Sequence, residues 1–180
     1  VKGDDMSGME WSGNKIRKLE FSIQEALDRG ADTLITCGGI QSNHCRATAA
    51  AAARLGLRSC LLLRTDDPDP LLDGNYFIDK VLGADIRFIS AEDYRSRRGE
   101  VMEELAGEFE RQGHKAYIIP EGASNGIGTF GYLSCMQEIL QQEKEMGVQF
   151  DTIVDAVGSG GTLAGLVLAN RLYGLNKRIV

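Results

Sequence analysis

The chain has 180 residues, of which 43% are hydrophobic and 7% aromatic, and it carries 22 glycines. Such a balance, with Ala, Leu, Ile and Val supplying most of the apolar residues, suits alternating strands and helices better than a β-sandwich. A formal net charge of −6 gives no reason for a nucleic-acid partner, and no apolar run reaches membrane-spanning length.

The predicted elements alternate in period along the chain. After a Gly- and Ser-containing loop over residues 3–13, residues 15–29 read as a helix closed by Gly30. A strand over 33–37 ends at Gly38 and Gly39. Ser42 or Asn43 then caps an Ala-rich helix running to Leu55, with Gly56 as its stop. The pattern continues with strand 59–63, helix 76–82, strand 86–89, helix 97–112 and strand 116–119. A Gly- and Asn-rich segment over 122–128 precedes a long helix to Met146. Strand 152–157, a glycine loop and helix 162–173 follow.

Right-handed crossovers between such units force a mostly parallel sheet covered by helices. The fold class is therefore α/β, with two parallel-sheet three-layer domains. Residues 33–123 form the small domain, and residues 1–32 plus 124–180 form a second, larger domain that is incomplete. The chain opens abruptly and stops at Val180 on what reads as the start of a strand, so a cut at both ends is expected.

Four cysteines, Cys37, Cys45, Cys60 and Cys135, fall in strands or helices without a CxxC pair. They read as buried thiols of a reducing compartment, and a cytoplasmic location is expected. His44 and His114 are far apart and lack a ligand cluster, so no metal site is expected.

Three segments carry chemistry. Lys15 stands at a helix mouth, where a desolvated or cation-crowded amine loses its proton readily and can bond a carbonyl carbon. Lys18 shares its helix face one turn on. A basic first turn can equally be solvated surface, although cations there oppose the helix dipole. Next, Gln41-Ser42-Asn43-His44 opens a helix at the carboxyl end of a strand, where ligands of parallel sheets bind. Free helix N–H groups with the Ser42 hydroxyl suit a carboxylate, while plain N-capping is the alternative. Last, Gly158-Ser159-Gly160-Gly161-Thr162 links an apolar strand to a helix and can gather backbone N–H groups around a phosphate monoester. It lacks the GK[ST] of Walker A, and Leu163 stands where the dinucleotide fingerprint has its third glycine. A tight structural turn is the alternative there.

An amine, an anion cradle and a carboxylate site together are what a pyridoxal phosphate enzyme needs. The segments SGNKIRKLEF, ITCGGIQSNHCRATAAAAARLG, IIPEGASNGIGTFGY and VGSGGTLAG, in this order, closely resemble the D-cysteine desulfhydrase and 1-aminocyclopropane-1-carboxylate deaminase family, whose members have the tryptophan-synthase-β-like fold. The resemblance covers essentially the whole chain, and members of that family are considerably longer.

The resemblance implies that Lys15 carries pyridoxal 5′-phosphate. It implies that Lys18 and the loop Gly158, Ser159, Gly160, Gly161 and Thr162 hold its phosphate, and that Asn43 bonds the 3′-oxygen of its ring. Ser42, with Asn14, Gln41 and His44, would meet a small amino-acid substrate, and Ser42 could also move protons. The segment Lys2-Gly3-Asp4-Asp5 departs from the family pattern, in which a basic residue precedes the Asp pair. The implied activity is a lyase or deaminase. D-cysteine to pyruvate, ammonia and sulfide is favoured by Gln-Ser-Asn followed by His44; the alternative is 1-aminocyclopropane-1-carboxylate to 2-oxobutanoate and ammonia. A homodimer is expected at full length. A non-catalytic binder of a phosphate ligand is the competing class; it would use the 158–162 loop and leave Lys15 and the Ser42–His44 cluster without a task.

Overall fold

A computed structural model describes residues 13–180; the loop expected over 3–13 lies outside the described residues as far as Ser12, as does the segment 2–5. Helix α1 (Lys15–Asp28) leads into strand β1 (Thr33–Gly39), helix α2 (Asn43–Leu55) and strand β2 (Arg58–Arg64). Helix α3 (Gly74–Val81), strand β3 (Asp85–Ile89), helix α4 (Ala91–Arg111) and strand β4 (Ala116–Ile118) follow. A 3-10 turn (Glu121–Ala123) then precedes α5 (Gly126–Met146), β5 (Thr152–Ile153), α6 (Gly161–Leu172) and β6 (Arg178–Ile179).

The first four strands form one parallel sheet in the order β3-β2-β1-β4. Side chains alternate across it, as the pleat requires. Leu34, Leu61 and Leu63 face α1, α2 and α3, whereas Ile35, Cys37, Cys60 and Leu62 face α4. Each fully buried Leu or Ile contributes roughly 1.5–3 kcal/mol of transfer free energy. The alanines 47 and 49–52 of α2 are all buried, and their small size lets that helix lie close on the sheet. The remaining strands, β5 and β6, pair in parallel beneath α5 and α6, around Tyr132, Met136, Leu166 and Ala169. A buried ion pair, Lys177 Nζ to Glu143 Oε1 at 2.6 Å, ties β6 to the end of α5.

Helix α1 serves both sheets. Leu19, Ile23 and Ala26 join the core above β1, while its first turns lie on α5. A Cβ at Gly131 of α5 would overlap the Arg17 carbonyl and come 2.8 Å from the Lys18 amide nitrogen. Glycine there is a packing requirement, and it fixes where Lys15 and Lys18 stand.

Two elements differ from the periodicity. The strand expected over 152–157 pairs only through Thr152–Ile153, with one further bond from the Asp155 amide to Val180 O. Its apolar run continues, but Val154 is 80% exposed, since paired backbone and not hydropathy defines a strand. The helix expected over 97–112 begins six residues earlier. Ser90 accepts from Asp93 N at 3.0 Å as its cap, and Glu92 and Asp93 in the first turn favour the positive helix end.

Candidate cofactor and substrate site

Because β1, β4 and the strand pair are parallel, the loops after their carboxyl ends gather at the first turn of α1. Lys15 is the first residue of that helix, and its Nζ donates to Asn14 Oδ1 at 2.9 Å. Asn14 Nδ2 in turn donates to Thr162 Oγ1 at 3.1 Å. The amine and the glycine loop thus face one cleft, lined by Asn14, Lys15, Lys18, Asp155 and residues 156–163.

The loop is built to receive an anion. Gly160 occupies the N-cap of α6 with φ 84°, in the left-handed region that glycine favours, and among the described residues no side chain caps the helix. First-turn N–H groups are thereby left for a ligand at the positive helix end. Facing them, Lys18 Nζ lies 3.2 Å from Ser124 Oγ, which lies 2.7 Å from Ser159 Oγ. Lys18 is 1% exposed. Burial, then the neighbouring charge of Lys15, pulls its ammonium down to about 8, with Asp155 opposing. A buried cation beside uncapped N–H groups calls for a negative charge, and a phosphate dianion supplies one. Burial also pulls Lys15 below the usual lysine range, again opposed by Asp155. A lowered lysine is more often the neutral nucleophile that an aldehyde requires.

The second segment adjoins the residues just before α1, but it is not among those lining that cleft. Ser42 caps α2, accepting from Cys45 N at 3.2 Å, and Asn43 is half-buried with its Nδ2 only 3.0 Å from where a Gly13 Cβ would sit. Gln41 is exposed, and its amide is engaged by Asp73 and Asn75 of the neighbouring α3 region. His44 is 2% exposed and enclosed in the core, with Nε2 2.8 Å from Thr36 Oγ1. Burial, with the charges of Lys15 and Lys18, holds its ring down to about 3, so it stays neutral.

Two residues in or beside this cleft were not singled out from the sequence. Ser124, in contact with Lys18 and Ser159, sits in a segment read as a hinge and as one of the family motifs, with no role for the serine itself. Asp155 lines the cleft and its charge acts on both lysines; its Oδ2 is buried and unbonded among the described residues, and burial raises it above the usual range. The visible signal was a lone acid inside the apolar run Thr152-Ile-Val-Asp-Ala-Val157.

The residues fit pyridoxal phosphate on these grounds: an amine of lowered basicity, a cradle of uncapped N–H groups, and a buried cation beside it. Comparison with known proteins agrees. The bifunctional D-cysteine desulfhydrase/1-aminocyclopropane-1-carboxylate deaminase of Arabidopsis thaliana, mitochondrial by its name, is 48% identical over 186 residues, covering 99% of this chain and 46% of that protein. The D-cysteine desulfhydrase of Serratia proteamaculans is 41% identical over 172 residues, covering 93% and 51%. A crystal structure of an ACC deaminase homologue superposes with TM-score 0.88 at 44% identity, covering 97% of this chain and 52% of that one. The chain therefore spans about half the length of the relatives it matches. Its fold is the tryptophan-synthase-β-like α/β fold, shared at 22% identity and TM-score 0.68 with a threonine deaminase. A family model described as pyridoxal-phosphate dependent enzyme matches residues 2–180, and the chain belongs to that family.

Proposed function

We propose that the protein carrying this chain is a pyridoxal-phosphate-dependent lyase or deaminase of a small amino acid, with D-cysteine as substrate and pyruvate, ammonia and sulfide as products. The observation that carries this reading is the Lys15–Asn14–Thr162 connection, which sets a nucleophilic amine beside an anion cradle. A binder without chemistry would need the cradle but not the amine.

In this reading Lys18, Ser124, Ser159 and the N–H groups of residues 160–162 hold the phosphate. Asn43 meets the ring's 3′-oxygen. Ser42 and the open first turn of α2 take the substrate carboxylate. His44 serves the substrate indirectly, by seating that turn on Thr36. When bound, the cofactor supplies an electron sink for charge developing at the substrate Cα. Lys15 Nζ, when it is not bonded to the cofactor, would be placed to take the Cα proton. Residues 33–123 form the small domain, and 1–32 with 124–180 belong to the cofactor domain. A homodimer in the cytoplasm completes the proposal, the location being supported by four buried free thiols. Among the described residues no helix is long and apolar enough to cross a membrane.

A second reading, 1-aminocyclopropane-1-carboxylate to 2-oxobutanoate and ammonia, is favoured by the likeness to the ACC deaminase homologue. Turnover of D-cysteine, L-cysteine and 1-aminocyclopropane-1-carboxylate by the intact protein separates the two. Sulfide and pyruvate from D-cysteine are expected. Turnover of the cyclopropane substrate alone overturns the first reading, and turnover of none overturns both.

A further inference from the structure

Resting on the reading that Ser42 and its neighbours receive the substrate carboxylate, we propose that Asn75 of α3 is the positioning residue for that turn. Asn75 spends both ends of its side chain on the α2 entrance. Its Oδ1 accepts from Arg46 Nη1 at 2.7 Å, and its Nδ2 donates to Gln41 O at 2.8 Å. Arg is a donor only, so the oxygen must face Arg46 and the amide nitrogen must face Gln41. The orientation is therefore unambiguous.

The Asn75 backbone N–H also donates to Gln41 Oε1 at 2.8 Å, and Gln41 Nε2 donates to Asp73 Oδ1 at 2.8 Å. Main chain and side chain of the residue before Ser42 are thus both held from α3. The N–H of the following peptide is held as well, since Ser42 N donates to Gly39 O at 2.9 Å. With Gln41 O and Ser42 N both fixed, the Gln41–Ser42 peptide plane has one orientation. That orientation sets where the Ser42 hydroxyl and the first free N–H groups of α2 point. Asn75 does not line the cofactor cleft, so it acts through Gln41. The ligand chemistry it serves is a carboxylate, recognised at a helix entrance 34 residues earlier in the chain.

The test is Asn75→Asp in the intact, cofactor-loaded protein. The substitution keeps the acceptor for Arg46 and turns the donor facing Gln41 O into a second oxygen. Loss of one exposed hydrogen bond, with repulsion in its place, is expected to raise KM for the amino acid about fivefold. The kcat should stay within about twofold, because the groups at the reacting atoms are untouched. The melting temperature and cofactor absorbance are expected to match the parent, and amide hydrogen exchange over residues 41–44 is expected to quicken. Asn75→Ser, which loses reach without adding charge, is read the same way should the aspartate variant fail to fold.

An unchanged KM and unchanged exchange overturn the proposal. So does a parallel fall of kcat, cofactor binding and melting temperature, which is the signature of a merely structural residue. Failure of the functional reading shows differently, as absence of turnover in the parent protein. The exchange measurement needs no turnover, so it judges Asn75 in that case too.

Discussion

Asn14 and Thr162 lie 148 positions apart in sequence, yet the side-chain amide of one donates to the hydroxyl of the other at 3.1 Å. That contact closes the cleft between the first turn of α1 and the first turn of α6. It also orients Asn14 so that its oxygen accepts from Lys15. The position of the amine is therefore set by the same loop that is proposed to receive the phosphate.

Lys18→Gln tests the phosphate site. Charge-assisted hydrogen bonds contribute roughly 1.5–3 kcal/mol, so affinity for pyridoxal phosphate is expected to fall about ten- to a hundredfold, read by fluorescence titration. The free protein also carries a pH signature. Lys18 is drawn down to about 8 by burial and by Lys15, and the anion binds the protonated form. Affinity for inorganic phosphate should hold below that pH and weaken as pH rises through it. A variant with parental affinity and the same pH profile would remove Lys18 from the site.

Gly131→Ala tests the seating of α1 on α5. The added Cβ meets the backbone of Arg17 and Lys18 rather than a mobile side chain, so the helices must part. Overpacking of this kind costs about 1–3 kcal/mol, sometimes more. The melting temperature is expected to fall, and cofactor affinity with it, because Lys15 and Lys18 move with α1. An alanine variant of parental stability would show the contact to be slack.

Asp79 tests the inner face of α3. It is fully buried, with neither carboxylate oxygen hydrogen-bonded among the described residues, and burial pushes it up to about 7 against the opposing charge of Arg46. For a carboxyl raised in the folded state, the folded protein is favoured at low pH, and that advantage is lost as pH rises from the ordinary carboxyl range through about 7. Asp79→Asn is therefore expected to stabilise at pH 8 by on the order of 2–4 kcal/mol, with the gain shrinking toward pH 5. Equal melting shifts at both pH values would contradict this, and differential scanning calorimetry reads them.

Much of the fold was legible because helices and strands advertise their period. Leu34, Leu61 and Leu63 against Ile35, Cys60 and Leu62 are the alternation of a sheet covered on both faces, and Gly56 at φ 70° is the expected helix stop. The start of α4 is equally written in Ser90-Ala-Glu-Asp93, but its first turns are mostly polar, with Tyr94 alone reaching the core, so they carry no apolar stripe. Lys15, Lys18 and the 158–162 loop were legible as unusual local chemistry. Ser124 was not. Its part depends on contacts with Lys18 and Ser159, 106 and 35 residues away, and no local pattern records such distances. His44 shows the converse: a polar residue in a conspicuous motif whose side chain the core encloses.

The most direct test of the site is chemical. Borohydride reduction of the cofactor-loaded intact protein fixes the cofactor to whichever amine holds it, and peptide mapping then names the residue. The label is expected on Lys15, and Lys15→Ala should carry none. A label on Lys18, or on any lysine outside the cleft, would contradict the assignment.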